Sequence, residues 1–185
     1  MKKIRQIIKD HQNVIDTLKN NLNQINDAKQ IIHNAIINGN KIIFFGNGGS
    51  ASDAQHLSAE LIGRFLKERK PLASISLSTD TSALTAIAND YGYSQIFSRQ
   101  IEGIANEGDI LIGISTSGNS DNIIKALSLK NNLMLKTIGL LGKNGGLAKD
   151  LCDIPIIVDS KNTARIQEAH ILIGHIICEL IDNEY

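Results

Sequence analysis

The sequence predicts an α/β fold: a five-stranded parallel sheet flanked by helices in three layers, with a long N-terminal helix ahead of it. Three observations predict it. Short β-branched or aliphatic runs alternate with stretches of helical periodicity, as in a parallel sheet with crossover helices. Runs such as Ile110-Leu-Ile112 are apolar without a break, which suits strands buried on both faces. A chain of 185 residues with no internal repeat, low-complexity stretch or linker suits one domain, residues 1–185.

The elements follow in order. Residues 1–38 read as helical, with apolar residues at Ile4, Ile8, Ile15, Leu18, Leu22, Ile25, Ile32 and Ile36 in steps of four and three. His11 and Lys29 are the polar members of that register. Such a seam needs a partner, either the chain's own core or another subunit. Its place ahead of the first strand favours oligomerisation. Gly39-Asn40 stops the helix, and residues 39–185 form the α/β core. Lys41–Phe45 is strand one, and a helix follows to about Leu66. Leu72–Leu77 is strand two. Ser82–Ala88 and Ile96–Ala105 are short helices around the polar turn Asn89-Asp-Tyr-Gly92. Asp109–Ile114 is strand three, Asn119–Asn131 a helix and Lys136–Leu141 strand four. Gly145-Gly146 opens a short helix to Cys152. Ile154–Val158 is strand five, and Thr163–Ile181 the final helix.

Composition excludes several classes. Hydrophobic content of 42% and charged content of 21% are ordinary for a globular chain. Aromatics at 4% leave the core to Ile, Leu and Ala. Lys+Arg and Asp+Glu balance at 19 each, so the chain has no basic footprint for nucleic acid or an anionic membrane. An anion site must therefore be built from backbone N–H groups, hydroxyls or single residues. Cys152 and Cys178, with no CxxC pairing, exclude a zinc-thiolate site and read as free thiols in a reducing compartment. The Met-Lys-Lys start leads into no long apolar stretch, and no run approaches a membrane span. A cytoplasmic location is expected.

In open parallel sheets ligands bind beyond the C-terminal strand ends. Two such ends are rich in small polar residues: Gly46-Asn-Gly-Gly-Ser50 after strand one and Ser115-Thr-Ser-Gly-Asn-Ser120 after strand three. Each sets glycines and hydroxyls at a helix N-terminus, where free N–H groups favour an anion. Helix capping by Ser50 and Asn119 is the plainer account of either loop alone. Gly46-x-Gly48-x-x-Ala51 also fits the loose dinucleotide fingerprint, but strand two ends Leu77-Ser-Thr79 without the acidic residue that fingerprint requires. No Gly-Lys-Ser/Thr follows, which excludes a P-loop. His56 and Glu60 stand four apart, on one helical face with Asp53 a turn earlier. They form either a solvated stripe or a pair that addresses one substrate atom or metal. His175, among Ile171, Leu172, Ile173, Ile176 and Ile177, is either a core histidine or a positioned acid/base.

These stretches, together with Ala59-Glu-Leu-Ile-Gly-Arg64, Ala88-Asn-Asp-Tyr-Gly92 and Ala164-Arg-Ile-Gln-Glu-Ala-His170, resemble the phosphoheptose isomerases of the sugar-isomerase (SIS) domain superfamily over essentially the whole chain. The resemblance implies interconversion of sedoheptulose 7-phosphate and glycero-manno-heptose 7-phosphate, the start of nucleotide-heptose synthesis for lipopolysaccharide or capsule. It implies a homotetramer with interface active sites and one zinc per subunit. Carried over residue by residue, the zinc ligands are His56, Glu60, Gln167 and His175. The substrate is held by Asn47, Gly48, Gly49, Asn89, Asp90, Ser115, Thr116, Ser117, Ser120 and Gln167, and the catalytic pair is Glu60 and His175. A carboxylate on zinc is a weaker base, so the two roles compete on Glu60. Gln167 and His175 stand eight apart, which on a straight helix separates their Cα atoms by about 12 Å and rotates them by roughly 80°. Sharing one metal then requires a second chain or an irregular helix at Gln167. A second resemblance is to non-catalytic tetrameric adaptors of the same fold that bind the replication initiator protein, through Thr85-Ala-Ile-Ala-Asn-Asp90 and Cys178-Glu-Leu-Ile-Asp182. Those adaptors lack counterparts of Glu60 and His175, which favours the enzyme.

Overall fold

Alternating strand side chains divide the interior in two. In β1 (Ile42–Gly46), Ile42 and Phe44 join one buried cluster while Ile43 and Phe45 join the other. In β3 (Ile110–Ser115), Ile110, Ile112 and Ile114 face the first cluster and Leu111 the second. Strands buried on both faces belong inside a sheet. The computed structural model, which describes residues 1–185, places them there. The sheet order is β2-β1-β3-β4-β5 and every pair is parallel, with β2 at Ser74–Ser76, β4 at Lys136–Gly142 and β5 at Ile154–Val158.

Helices cover both faces. The first cluster is closed by α2 (Leu22–Ile37), α3 (Gly49–Ile62) and α7 (Thr163–Asp182), and the second by α4 (Thr81–Tyr91), α5 (Ser98–Ile104) and α6 (Asp121–Leu127). The strand order reverses between β1 and β3, which leaves a crevice above their carboxyl ends. Both small-residue loops open into that crevice.

Several expectations shift. The helix over residues 1–38 is broken into α1 (Lys2–Thr17), a 3₁₀ turn at Leu18–Asn21 and α2. The break falls where Asn21 donates its side-chain amide to the Ile157 carbonyl and ties the chain to β5. The apolar seam divides with it. Leu18, Ile25 and Ile32 are buried in the chain's own core, whereas Ile4, Ile8 and Leu22 are exposed. The helix after β1 stops at Ile62, because Gly63 caps it and the chain turns to wrap Asp182. Asn89, Asp90 and Tyr91 are the last turn of α4 rather than a loop; the turn comes at Gly92, with φ of 88°. Gly145 and Gly146 both take positive φ and form a turn, and only a 3₁₀ segment, Ala148–Leu151, precedes Cys152.

Candidate active site

The turn after β1 requires its glycines. Gly48 has φ of 57°, a left-handed conformation that side chains disfavour. A Cβ on Gly49 would strike the Gln167 side-chain amide, which lies directly against it. The turn is closed by Ser50 N–H donating to the Asn47 carbonyl at 3.0 Å. Ser50 is buried and makes no capping bond; Gly48 occupies the cap position.

The second loop is ordered by its own hydroxyls. Ser115 Oγ accepts from Gly118 N–H at 3.0 Å and Ser117 Oγ from Asn119 N–H at 3.2 Å. Gly118, with φ of 65°, packs against the backbone of Gly145 and Gly146 so closely that a Cβ would collide there. Gly118 accepts from Ala148 N–H, and Asn119 Oδ1 accepts from Leu147 N–H. The loop after β4 thus braces the loop after β3. Thr116 and Ser117 are half-buried, and Ser120 caps α6 through its backbone conformation alone.

Below these loops, α3 and α7 run side by side in the same direction. Gly49 meets Gln167 at one level, and His56 and Leu57 meet Gly174 and His175 at another. Here three potential ligands converge. His56 Nε2 lies 3.0 Å from Glu60 Oε1 and 3.2 Å from His175 Nε2. One donor atom from each of the three lies within 4.8 Å of the others. Two imidazoles and a carboxylate at this spacing suit a zinc ion. Phe65 stacks on His175, with centroids 5.3 Å apart and planes at 25°, so the ring that reaches the cluster is held from behind.

The structure does not gather every expected residue. Gln167 sits at the glycine turn, and α7 is an unbroken α-helix from Thr163 to Asp182. The irregular-helix alternative is therefore ruled out. Within one chain Gln167 is about 12 Å along the axis from His175. Asn89 and Asp90 are exposed at the end of α4, bonded to each other at 2.8 Å. Asn47 is instead held by Asn122 and Tyr93, two residues that sequence patterns did not announce. A signal was present in the helical register, since Asn122 falls on the buried side of α6 with Ile123 and Ala126. Asp53, beside the cluster, has an unpartnered buried oxygen. Burial raises its carboxyl to about 6, with His56 pulling the other way. Burial also pushes the thiols of Cys178 and Cys152 up to about 12, which leaves them inert.

Comparison with known proteins agrees with this architecture. The SIS domain family model matches residues 6–142. The chain is 54% identical over 183 residues to a phosphoheptose isomerase of Nitratiruptor, covering 98% of each chain. It is 53% identical over 174 residues to that of Helicobacter pylori, covering 92% of this chain and 91% of the other. Among solved structures it superposes on a phosphoheptose isomerase from Neisseria gonorrhoeae with TM-score 0.93 at 37% identity, covering 98% of both chains. For the Francisella tularensis phosphoheptose isomerase the TM-score is 0.94 at 38% identity, covering 98% of this chain and 97% of the other. With its fold and nearly its full length shared with these proteins, the chain belongs to the SIS domain family and, within it, to the phosphoheptose isomerases.

Proposed function

We infer that the protein is an aldose–ketose isomerase that converts sedoheptulose 7-phosphate to glycero-manno-heptose 7-phosphate, the entry to nucleotide-activated heptose synthesis. The observation that carries this reading is the convergence of Glu60, His56 and His175 beneath two loops suited to a phosphorylated polyol. The adaptor reading needs no such cluster, and the relatives named above are isomerases.

The chemistry follows from what each group can do. Isomerisation moves a proton from C1 to C2 through an enediol and a second proton from one oxygen to the other. The Glu60 carboxylate takes the C1 proton and returns it at C2. The His175 imidazole passes the proton between O1 and O2. Phe65 fixes the plane in which it does so. Asn47, Gly48, Gly49 and the Ser115, Thr116, Ser117 and Ser120 loop bind the sugar phosphate, with Asn89 and Asp90 at the α4 end. His56, Glu60 and His175 would hold a zinc ion, with Gln167 of a neighbouring subunit as the fourth ligand. When bound, the metal supplies polarisation of the substrate carbonyl. The subunits form a homotetramer, the protein works in the cytoplasm, and its product feeds lipopolysaccharide or capsule.

The reading is tested with sedoheptulose 7-phosphate as substrate. Wild-type protein is expected to turn it over. Glu60→Gln and His175→Gln are expected to lose roughly 10²–10⁴-fold in kcat, the scale of general acid–base catalysis. Absence of turnover by the wild type, or wild-type rates in both variants, overturns it.

A further inference from the structure

The two strand-end loops are joined by a pair of side chains. Asn47 Nδ2 donates to Asn122 Oδ1 at 2.9 Å, and Asn122 Nδ2 donates back to Asn47 Oδ1 at 2.9 Å. The Tyr93 hydroxyl donates to the same Asn47 Oδ1 at 3.0 Å. Asn122 is only 2% exposed, on the first turn of α6. An amide oxygen has two lone pairs, and both of those on Asn47 are taken. One N–H of Nδ2 is therefore its remaining free polar group. Asn47 and Tyr93 both line two adjoining hollows, one with Gly46, Gly48 and Ser78, the other with Ser94 and Ser120.

A reciprocal amide pair of this kind does two things. It fixes which face of the Asn47 amide looks outward, so that Asn47 is presented as a donor. It also fastens the turn between β1 and α3 to the start of α6, which sets the spacing between the Gly48-Gly49 turn and the Ser115–Ser120 loop. A buried asparagine with both of its amide groups spent on one neighbour has no other evident task, since an apolar residue at that place would pack without the cost of burying an amide.

We propose that Asn122, assisted by Tyr93, is a positioning residue for the sugar phosphate. It acts through Asn47, aiming that amide at the ligand and holding the two loops at the distance a phosphorylated sugar requires. This rests on the isomerase reading, and it adds a residue outside the ligand-binding loops to the determinants of affinity. The His56, Glu60 and His175 cluster lies two to three turns down α3 from the glycine turn, roughly 10–16 Å along its axis, so the effect belongs to binding rather than to proton transfer.

Asn122→Ala is expected to raise KM for sedoheptulose 7-phosphate about tenfold, the effect of losing an aligned hydrogen bond to a charged ligand, with kcat within about threefold of wild type. In the Asn47→Ala background the same substitution is expected to add nothing, because the residue through which it acts is gone. Tyr93→Phe, at an exposed site that folding tolerates, is expected to raise KM about threefold and serves if Asn122→Ala does not fold. A KM within twofold of wild type in Asn122→Ala, or in Tyr93→Phe where the former does not fold, overturns the proposal. So does an undiminished Asn122→Ala effect in the Asn47→Ala background. A wild type without isomerase activity removes the underlying reading and this inference with it, whereas an active wild type with an unshifted variant removes this inference alone.

Discussion

His170 shows at the level of one side chain how the fold constrains pH response. It is fully buried on α7, and burial holds its imidazole down at about 4 against an ordinary 6.5, with a contact to the Leu141 backbone pulling the other way. Between those values the unfolded chain binds a proton that the folded chain does not. Stability from this residue is therefore complete above about pH 6.5 and is lost as pH falls toward 4, to a total of about 3 kcal/mol. Asp53 runs the opposite way. Its folded carboxyl titrates near 6 rather than 3.8, so it penalises folding above that pH and less so below. The two effects oppose each other in wild type. In His170→Leu the acid-side loss should shrink, so that the variant gains stability relative to wild type between pH 6.5 and 4.5 in urea titrations. An unchanged difference across that window would contradict the depressed value of His170. The sequence leaves His175 open between a core histidine and a positioned acid/base. His170 is buried on α7, and His175, five residues on, reaches His56 across the α3 contact.

At the scale of the elements, the segment after α3 is held by one buried ion pair. Arg69 Nε donates to Asp182 Oδ1 at 2.6 Å, and both side chains are almost wholly buried. Asp182 Oδ2 also accepts from Leu66 N–H at 2.7 Å and Lys67 N–H at 3.0 Å, while Arg69 donates to the carbonyls of Glu60 and Leu61 at the end of α3. The chain leaving the helix that carries Glu60 is thereby fastened to the end of the helix that carries His175, and Phe65 lies within the fastened stretch. Those bonds hold the Asp182 carboxyl below the ordinary range despite its burial. Asp182→Ala strands a buried guanidinium and should cost about 3–5 kcal/mol in denaturant unfolding. The double variant Arg69→Met/Asp182→Leu should cost clearly less, because no charge is left unpaired. A double variant as unstable as the single one would contradict this account. This clamp was not legible in the sequence. Strand and helix identities follow from local periodicity, and β5 and α7 fall where periodicity puts them. An ion pair between residues 113 positions apart follows only from the tertiary path. The same reason hid the Asn47–Asn122 pair, while the two glycine loops, being local, were read directly.

At the scale of the whole molecule, the first helix leaves an apolar face uncovered. α1 buries no residue of its own, and Ile4, Ile7 and Ile8 are exposed on it. It is tethered to α7 by His11 Nδ1 and Glu168 Oε2 at 2.6 Å and by Arg165 donating to the Ile7 carbonyl at 3.1 Å. An apolar helix face fixed in place yet uncovered is suited to a second copy of the chain. α7 presents Gln167 and His175 too far apart along one straight helix to meet at one centre. These two features motivate the arrangement proposed above, with Glu60 and His175 from one subunit and Gln167 from another. Mixing separates that arrangement from a site built within one chain. Glu60→Gln and Gln167→Ala proteins are each expected to be impaired. Refolded together in equal amounts, they should regain about a quarter of wild-type sites, because random assembly pairs an intact Glu60 with an intact Gln167 from the neighbour once in four. A within-chain site would regain none, since every chain carries one defect. Ile4→Glu/Ile8→Glu supplies the second arm. If α1 forms the subunit contact, this variant should sediment as a smaller species and lose activity in proportion to the oligomer lost, while His56, Glu60 and His175 remain together in each chain.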